Sequence, residues 1–188
     1  MERMSLTEQD RRRLLDLAKS SIAHGLKYGK ALKIDLSDYP PELTVPRSTF
    51  VTLQKQGQLR GCIGMLEAIR PMAEDVAENA FSAAFKDYRF PPLEADELDA
   101  LDIHISILNP AEPIAFTSEQ DLIDQLRPGI DGLILEEGLK RGTFLPSVWE
   151  SLPDPRQFLQ HLKQKAGLPP YYWSDSIKIS RYTAEIID

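Results

Sequence analysis

The chain has one cysteine, three histidines and two tryptophans in 188 residues. A lone cysteine excludes an intrachain disulfide and leaves a free thiol, which fits a reducing compartment. His24, His104 and His161 lie far apart, and no Cys/His set has zinc-site spacing, so no metal is expected. Positive charge is also in short supply: 22 Lys and Arg against 29 Asp and Glu leave a net charge of −7. That balance argues against nucleic acid as the main partner, because phosphate contacts draw on clustered Lys and Arg. The one basic run, Arg11-Arg12-Arg13, falls in a mixed-charge helix and reads as a solvated face. No apolar run approaches the ~20 residues of a membrane span. The opening Met1-Glu2-Arg3-Met4-Ser5 lacks the apolar core of a signal peptide. A cytoplasmic protein with no membrane contact is therefore expected. Nor is there a glycine loop with a following lysine to cradle phosphates.

What is present suffices for a substantial core, since a chain of this length buries roughly 70% of its unfolded surface. A helix is expected over about 7–28. Thr7 caps it, Asp10 answers three residues on, and Leu14, Leu17, Ala18 and Ile22 recur at helical spacing before Gly25 or Gly29 ends it. Two strands near 48–54 and 58–65 follow, joined by a three-residue turn Lys55-Gln56-Gly57. That register sets Leu53 against Leu59 and Val51 against Gly61, with Thr52 beside Arg60 and Phe50 beside Cys62 on the other face. Pro71 opens a helix running to about Tyr88. Leu101–Ile107 alternates cleanly as a strand. A helix near 118–127, a strand near 133–135 and a short helix carrying Val148 and Trp149 come next. A helix near 155–166 is closed by Gly167-Leu168, and a last strand spans about 176–186. The pattern predicts one α+β domain over 1–188, with a largely antiparallel sheet flanked by helices.

The stretch Leu59-Arg60-Gly61-Cys62-Ile63-Gly64 is the candidate site. Strand alternation puts Leu59, Gly61, Ile63 and Met65 on one side and Arg60, Cys62 and Gly64 on the other. Small groups at Cys62 and Gly64 then leave room above the strand, with Arg60 at its edge. A guanidinium ~7 Å away favours thiolate over thiol, so Cys62 is the candidate nucleophile and Arg60 the group that binds an anionic small molecule. Two other readings stand beside this one: a redox-sensing thiol, or a buried cysteine packing as a small hydrophobe beside glycines that mark a bulge or close backbone approach. Asp87 and Arg89, ahead of the rigid Pro91-Pro92, are candidates for a cleft wall. His104 shares a strand face with Asp102 and Ser106, and would pair with Cys62 as base and nucleophile only if the fold joins their strands. The acidic Glu94–Asp99 stretch reads as a solvated turn or helix start.

The hexapeptide resembles the signature of the AMMECR domain family. The likeness continues through Asp87-Tyr88-Arg89-Phe90-Pro91-Pro92, Glu97-Leu98, Ile105-Ser106-Ile107-Leu108, Gly129-Ile130-Asp131-Gly132, Phe144–Trp149, Phe158-Leu159, Lys165–Pro169 and Trp173. These blocks cover about residues 47–174. Two positions depart from the pattern of many members: Ser147 stands where they have Gln, and the neighbourhood of Lys163 lacks their second cysteine, which removes a resolving thiol. The resemblance implies a compact α+β domain with a larger and a smaller lobe and a cleft between them. The strand reading makes Arg60, Gly61 and Gly64 ligand-binding candidates around Cys62, with Asp87 and Arg89, which the resemblance favours, beside them. The resemblance leaves reaction and cofactor unknown. It also implies an alternative role as a non-catalytic adaptor docking a Memo-like or radical SAM partner.

Overall fold

The computed structural model describes residues 6–188; the leaderless reading of Met1–Ser5 lies outside the described residues. Helix α1 (Glu8–Tyr28) begins with the expected reciprocal cap. Asp10 N–H donates to Thr7 Oγ1 at 3.1 Å, and Thr7 N–H donates to Asp10 Oδ2 at 3.2 Å. Gly29 ends it in the left-handed conformation, while Gly25 stays helical and lies against the rings of Phe81 and Phe85. Strands β1 (Thr49–Lys55) and β2 (Gln58–Gly64), helix α2 (Met72–Phe85) and strand β3 (Leu101–Leu108) follow. The second half holds β4 (Glu112–Pro113), α3 (Glu119–Gln125), β5 (Gly132–Glu137), β6 (Lys140–Phe144), α4 (Pro155–Lys165), β7 (Lys178–Tyr182) and β8 (Ala184–Ile187).

The strands form two four-stranded sheets, ordered β2-β1-β3-β8 and β4-β7-β5-β6, in an α+β fold of antiparallel sheets. The chain divides into two compact units. One takes the residues up to Leu108 with Glu185–Asp188, the other Asn109–Ala184. In the first, Val51, Leu53, Ile105 and Ile107 bury one face of the sheet with Leu14, Leu17 and Ile22 of α1 and the alanine-rich α2. In the second, Leu133, Leu135 and Ile179 form a core with Leu122, Phe158 and Leu162. There Trp149 stacks on Phe158 with ring centroids 3.8 Å apart and donates its indole N–H to the Asp131 carbonyl at 2.7 Å.

Three local expectations change. The final segment is two strands, β7 in the second sheet and β8 in the first. Lys140–Phe144, where no strand was expected, is strand β6. The β1–β2 connection is a two-residue turn, with Gln56 at φ 54° and Gly57 at φ 75°. Positive φ at both central positions matches the right-handed twist of the flanking strands, so the tighter turn wins.

Candidate functional site

The tighter turn moves the register. Lys55 opposes Gln58 and Gln54 opposes Leu59, after which the pairing slips so that Leu53 opposes Gly61, Thr52 opposes Cys62 and Phe50 opposes Gly64. Arg60 is the extra residue of a β-bulge, a feature that bends a strand and re-aims a side chain. The expected pairing of Leu53 with Leu59 does not occur, because the bulge absorbs one residue. Leu59 lies opposite Gln54 and is exposed, whereas Arg60 and Gly61 are both buried.

Arg60 and Cys62 consequently do not share a face. Arg60 joins Lys55, which shares its face of β1 with buried Leu53 and Val51, and both side chains donate to Glu97. The Arg60 guanidinium is held on three sides. Its Nε donates to Glu97 Oε1 at 3.0 Å, and Nη2 donates to Glu97 Oε2 at 3.1 Å and to the Pro91 carbonyl at 2.9 Å. Its Nη1 is buried and has no acceptor among the described residues. The acidic stretch is thus more than a solvated turn. Its 3-10 helix (Ala95–Ala100) is opened by a Glu94–Glu97 box, and Glu97 neutralises Arg60.

Gly61 and Gly64 both meet packed neighbours. A Cβ at Gly61 would lie 2.1 Å from the Ala83 carbonyl oxygen of α2, and one at Gly64 would lie 2.2 Å from the Phe50 ring. The space expected above Gly64 is filled by Phe50, which the shifted register sets directly opposite.

Cys62 faces the other way, half-buried, with Sγ 3.1 Å from Thr52 Oγ1. Its backbone N–H, on the outer edge of β2, donates to Asp87 Oδ2 at 3.0 Å. Arg89 holds the same carboxylate, from Nε to Oδ1 at 3.0 Å and from Nη2 to Oδ2 at 2.7 Å. Asp87 and Arg89 therefore clamp the edge strand at the thiol. Arg89 lies above its ordinary pKa, chiefly through the Asp87 hydrogen bond, with burial opposing; the negative charges of Asp87, Cys62 and Tyr88 add to the rise. The cation beside the sulfur is Arg89, and Phe90 lies between the two arginines, its ring centroid 6.0 Å from the Arg60 guanidinium carbon and 5.4 Å from that of Arg89.

The ladder extends the thiol row across a third strand, since Thr52 opposes His104 of β3 as well as Cys62 of β2. The two residues share a face, but the condition for a Cys62–His104 pair is not met, because β1 runs between their strands. Thr52 stands between them, a position the unshifted register hid. Among the described residues no group of three or more His, Cys, Asp or Glu side chains could hold a metal ion, and no helix is long and apolar enough to cross a membrane.

Two carboxylates of this site make acid stability a direct readout. The Arg89 hydrogen bond holds Asp87 at about 2 against an ordinary 3.8, with burial opposing and the Cys62 and Arg89 backbone N–H groups helping. Arg60 likewise holds Glu97 at about 2 against 4.5, with the Glu94 N–H helping and burial opposing. Groups depressed on folding stabilise fully above their unfolded values and lose that contribution as pH falls toward the folded ones. The melting temperature should therefore drop between pH 4.5 and about 2. Asp87→Asn and Glu97→Gln should each lower it at neutral pH and flatten that acid limb. A limb of unchanged steepness in both variants would contradict the assignment.

The fold and site together define a class: an α+β protein of two antiparallel sheets, with a half-buried thiol on a clamped, bulged edge strand. The chain belongs to the AMMECR1 family, whose model matches residues 15–187. A protein of Methanothermobacter thermautotrophicus is 38% identical over 192 residues, spanning 99% of this chain and 97% of its own. One from Thermotoga maritima is 40% identical over 167 residues, covering 87% of this chain and 90% of that protein. The crystal structure of an uncharacterized protein from Pyrococcus horikoshii superposes with a TM-score of 0.90 at 36% identity, covering 96% of this chain and 92% of that one.

Proposed function

We propose that this protein is a cytosolic small-ligand-binding domain whose site is the sheet face at Cys62, with the thiol as reacting or contacting group. The observation that carries this reading is the half-buried sulfur against the Thr52 hydroxyl, on a strand edge fixed by the Asp87–Arg89 pair. Free thiols beside arginine, partly exposed, are the environments in which cysteine is reactive. Arg89, with its side chain 45% exposed, is the group that meets a ligand's anionic part. Arg60 is a positioning residue, because Glu97 already holds its charge.

The test is a thermal-shift screen of metabolites, because a ligand that binds only the folded state raises the melting temperature by mass action. A hit at a hundredfold excess over its Kd should stabilise by about 2.7 kcal/mol. Arg89→Ala and Cys62→Ser should each abolish most of that shift. A shift that survives both substitutions places the ligand elsewhere and refutes the site.

Docking of a Memo-like or radical SAM protein is the second reading, and Tyr88 favours it. This ring is 95% exposed between Asp87 and Arg89, and tyrosine is enriched among interface anchors. Loss of co-purification in Tyr88→Ala, with ligand shifts intact, would select the adaptor role.

A further inference from the structure

We infer that the free edge of β3 at Leu101–Ile103 is a docking site for an extended, lysine- or arginine-bearing segment of a partner protein, added to the first sheet as a strand. Neither Cys62 nor Arg89 takes part, so the inference stands apart from the ligand reading of the thiol.

Strand pairing carries the first half of it. On one side of β3, β1 pairs from Lys55 opposite Leu101 to Thr49 opposite Ile107. On the other side lies β8, which holds only Ala184–Ile187. Near the start of β8 the Asn109 N–H donates to the Thr183 carbonyl at 2.8 Å, and just past its end Asp188 Oδ2 lies 3.7 Å from His104 Nδ1. β8 therefore runs antiparallel to β3 and stops level with His104. Among the described residues no strand lies beside Leu101–Ile103 on that side. A cavity of about 450 Å³ opens there instead, walled by α1. An open strand edge is a template on which an extended chain adds main-chain hydrogen bonds.

Charge and polarity carry the second half, and select the occupant. On the inner side of the cavity Leu15, Leu101 and Ile103 are apolar and pack against the first core. Its rim carries the carboxylates of Asp16, Asp102 and Asp188. Asp16 and Asp102 have no ion-pair partner among the described residues, and Asp188 faces the imidazole of His104. The one lysine of the lining, Lys19, is drawn 3.4 Å from Asp99. Negative charge at this notch is therefore uncompensated. A strand turns successive side chains to opposite faces. A segment that alternates apolar with basic residues thus sets its apolar side chains beside Leu101 and Ile103, and its cations beside Asp102 and Asp188. Such complementarity of charge selects the partner and speeds its arrival.

The experiment is a selection from random peptides of about eight residues, longer than a typical strand, displayed on phage. Wild type and the double variant Asp16→Asn, Asp102→Asn serve as parallel baits. Both side chains are exposed, so folding is not at risk. Wild type should enrich sequences with Lys or Arg alternating with apolar residues, and the double variant should not. The synthetic consensus peptide should bind the double variant about tenfold more weakly, the scale of two exposed charge pairs, and should bind wild type more weakly as salt rises. Two copies of that peptide, N-methylated on one or the other alternate set of backbone amides, separate strand addition from simple charge attraction. Only the set that faces β3 donates to it, so one copy should lose binding and the other keep it. Identical selections from the two baits, or no enrichment from wild type, would overturn the docking site. Loss of binding in both methylated copies, or in neither, would overturn the added strand.

Discussion

Gly61→Ala should destabilise the protein by about 3 kcal/mol or more. The added methyl would sit 2.1 Å from the Ala83 carbonyl oxygen and 3.0 Å from its carbon, both backbone atoms inside α2. Neither can swing aside, so the strand or the helix must shift. Overpacking usually costs about 1–3 kcal/mol, and a clash with fixed backbone belongs at or above the top of that range. Two neighbouring glycines calibrate the result. Gly64→Ala meets only the Phe50 ring, which can rotate away, so a smaller loss is expected. Gly57→Ala meets nothing within 4 Å but sits at φ +75°, which costs roughly 1–2 kcal/mol for a residue with a Cβ. Urea midpoints should rank Gly61→Ala well below the other two; equal midpoints would show that α2 is not seated on β2 as described.

Asp75→Ala is the second large effect. Asp75 is 1% exposed, and its carboxylate accepts the Thr49 N–H at 2.9 Å, the Thr49 hydroxyl at 2.7 Å, Arg70 Nε at 2.9 Å and Asn79 Nδ2 at 3.0 Å. The group ties the first turns of α2 to the start of β1. Removing it leaves the buried Thr49 amide and hydroxyl without this acceptor and the Arg70 guanidinium, 29% exposed, without its ion pair; each buried group left unsatisfied costs about 1–3 kcal/mol. Asp75→Asn keeps the shape and some acceptor capacity, so it should fall between wild type and Asp75→Ala in chemical denaturation. An alanine variant within 1 kcal/mol of wild type, roughly the scale of an ordinary surface change, would contradict this role.

Periodic elements were readable from the residues, and pairing geometry was not. The Thr7–Asp10 cap, the apolar stripe of α1, the alternation of β3 and the Gly167 stop of α4 are local patterns, and each appears where expected. The hairpin failed by one residue. A Gln-Gly turn and a three-residue turn are both compatible with Lys55-Gln56-Gly57, and the bulge at Arg60 that accompanies the tighter turn, beside Gly61 packed on α2, has no local sequence signal. That single slip moved Arg60 away from Cys62 and brought Thr52 to the sulfur. Glu97 was misjudged for a related reason: its partner lies 37 positions upstream, and no local pattern announces that pairing. His104 was visible as a half-buried strand residue, but its alignment with Cys62 required the strand order β2-β1-β3. The sequence likeness and the family match agree on kinship, while the roles within the hexapeptide emerge from geometry.

The indole that stacks on Phe158 has a practical use. Both tryptophans of the chain, Trp149 and Trp173, belong to the second unit, and the sole sulfhydryl belongs to the first. Intrinsic emission therefore follows the loosening of one half, while disulfide-exchange reagents follow the other, in the unmodified polypeptide. Whether the two halves melt as one cooperative block is thus open to direct observation, with no engineered probe.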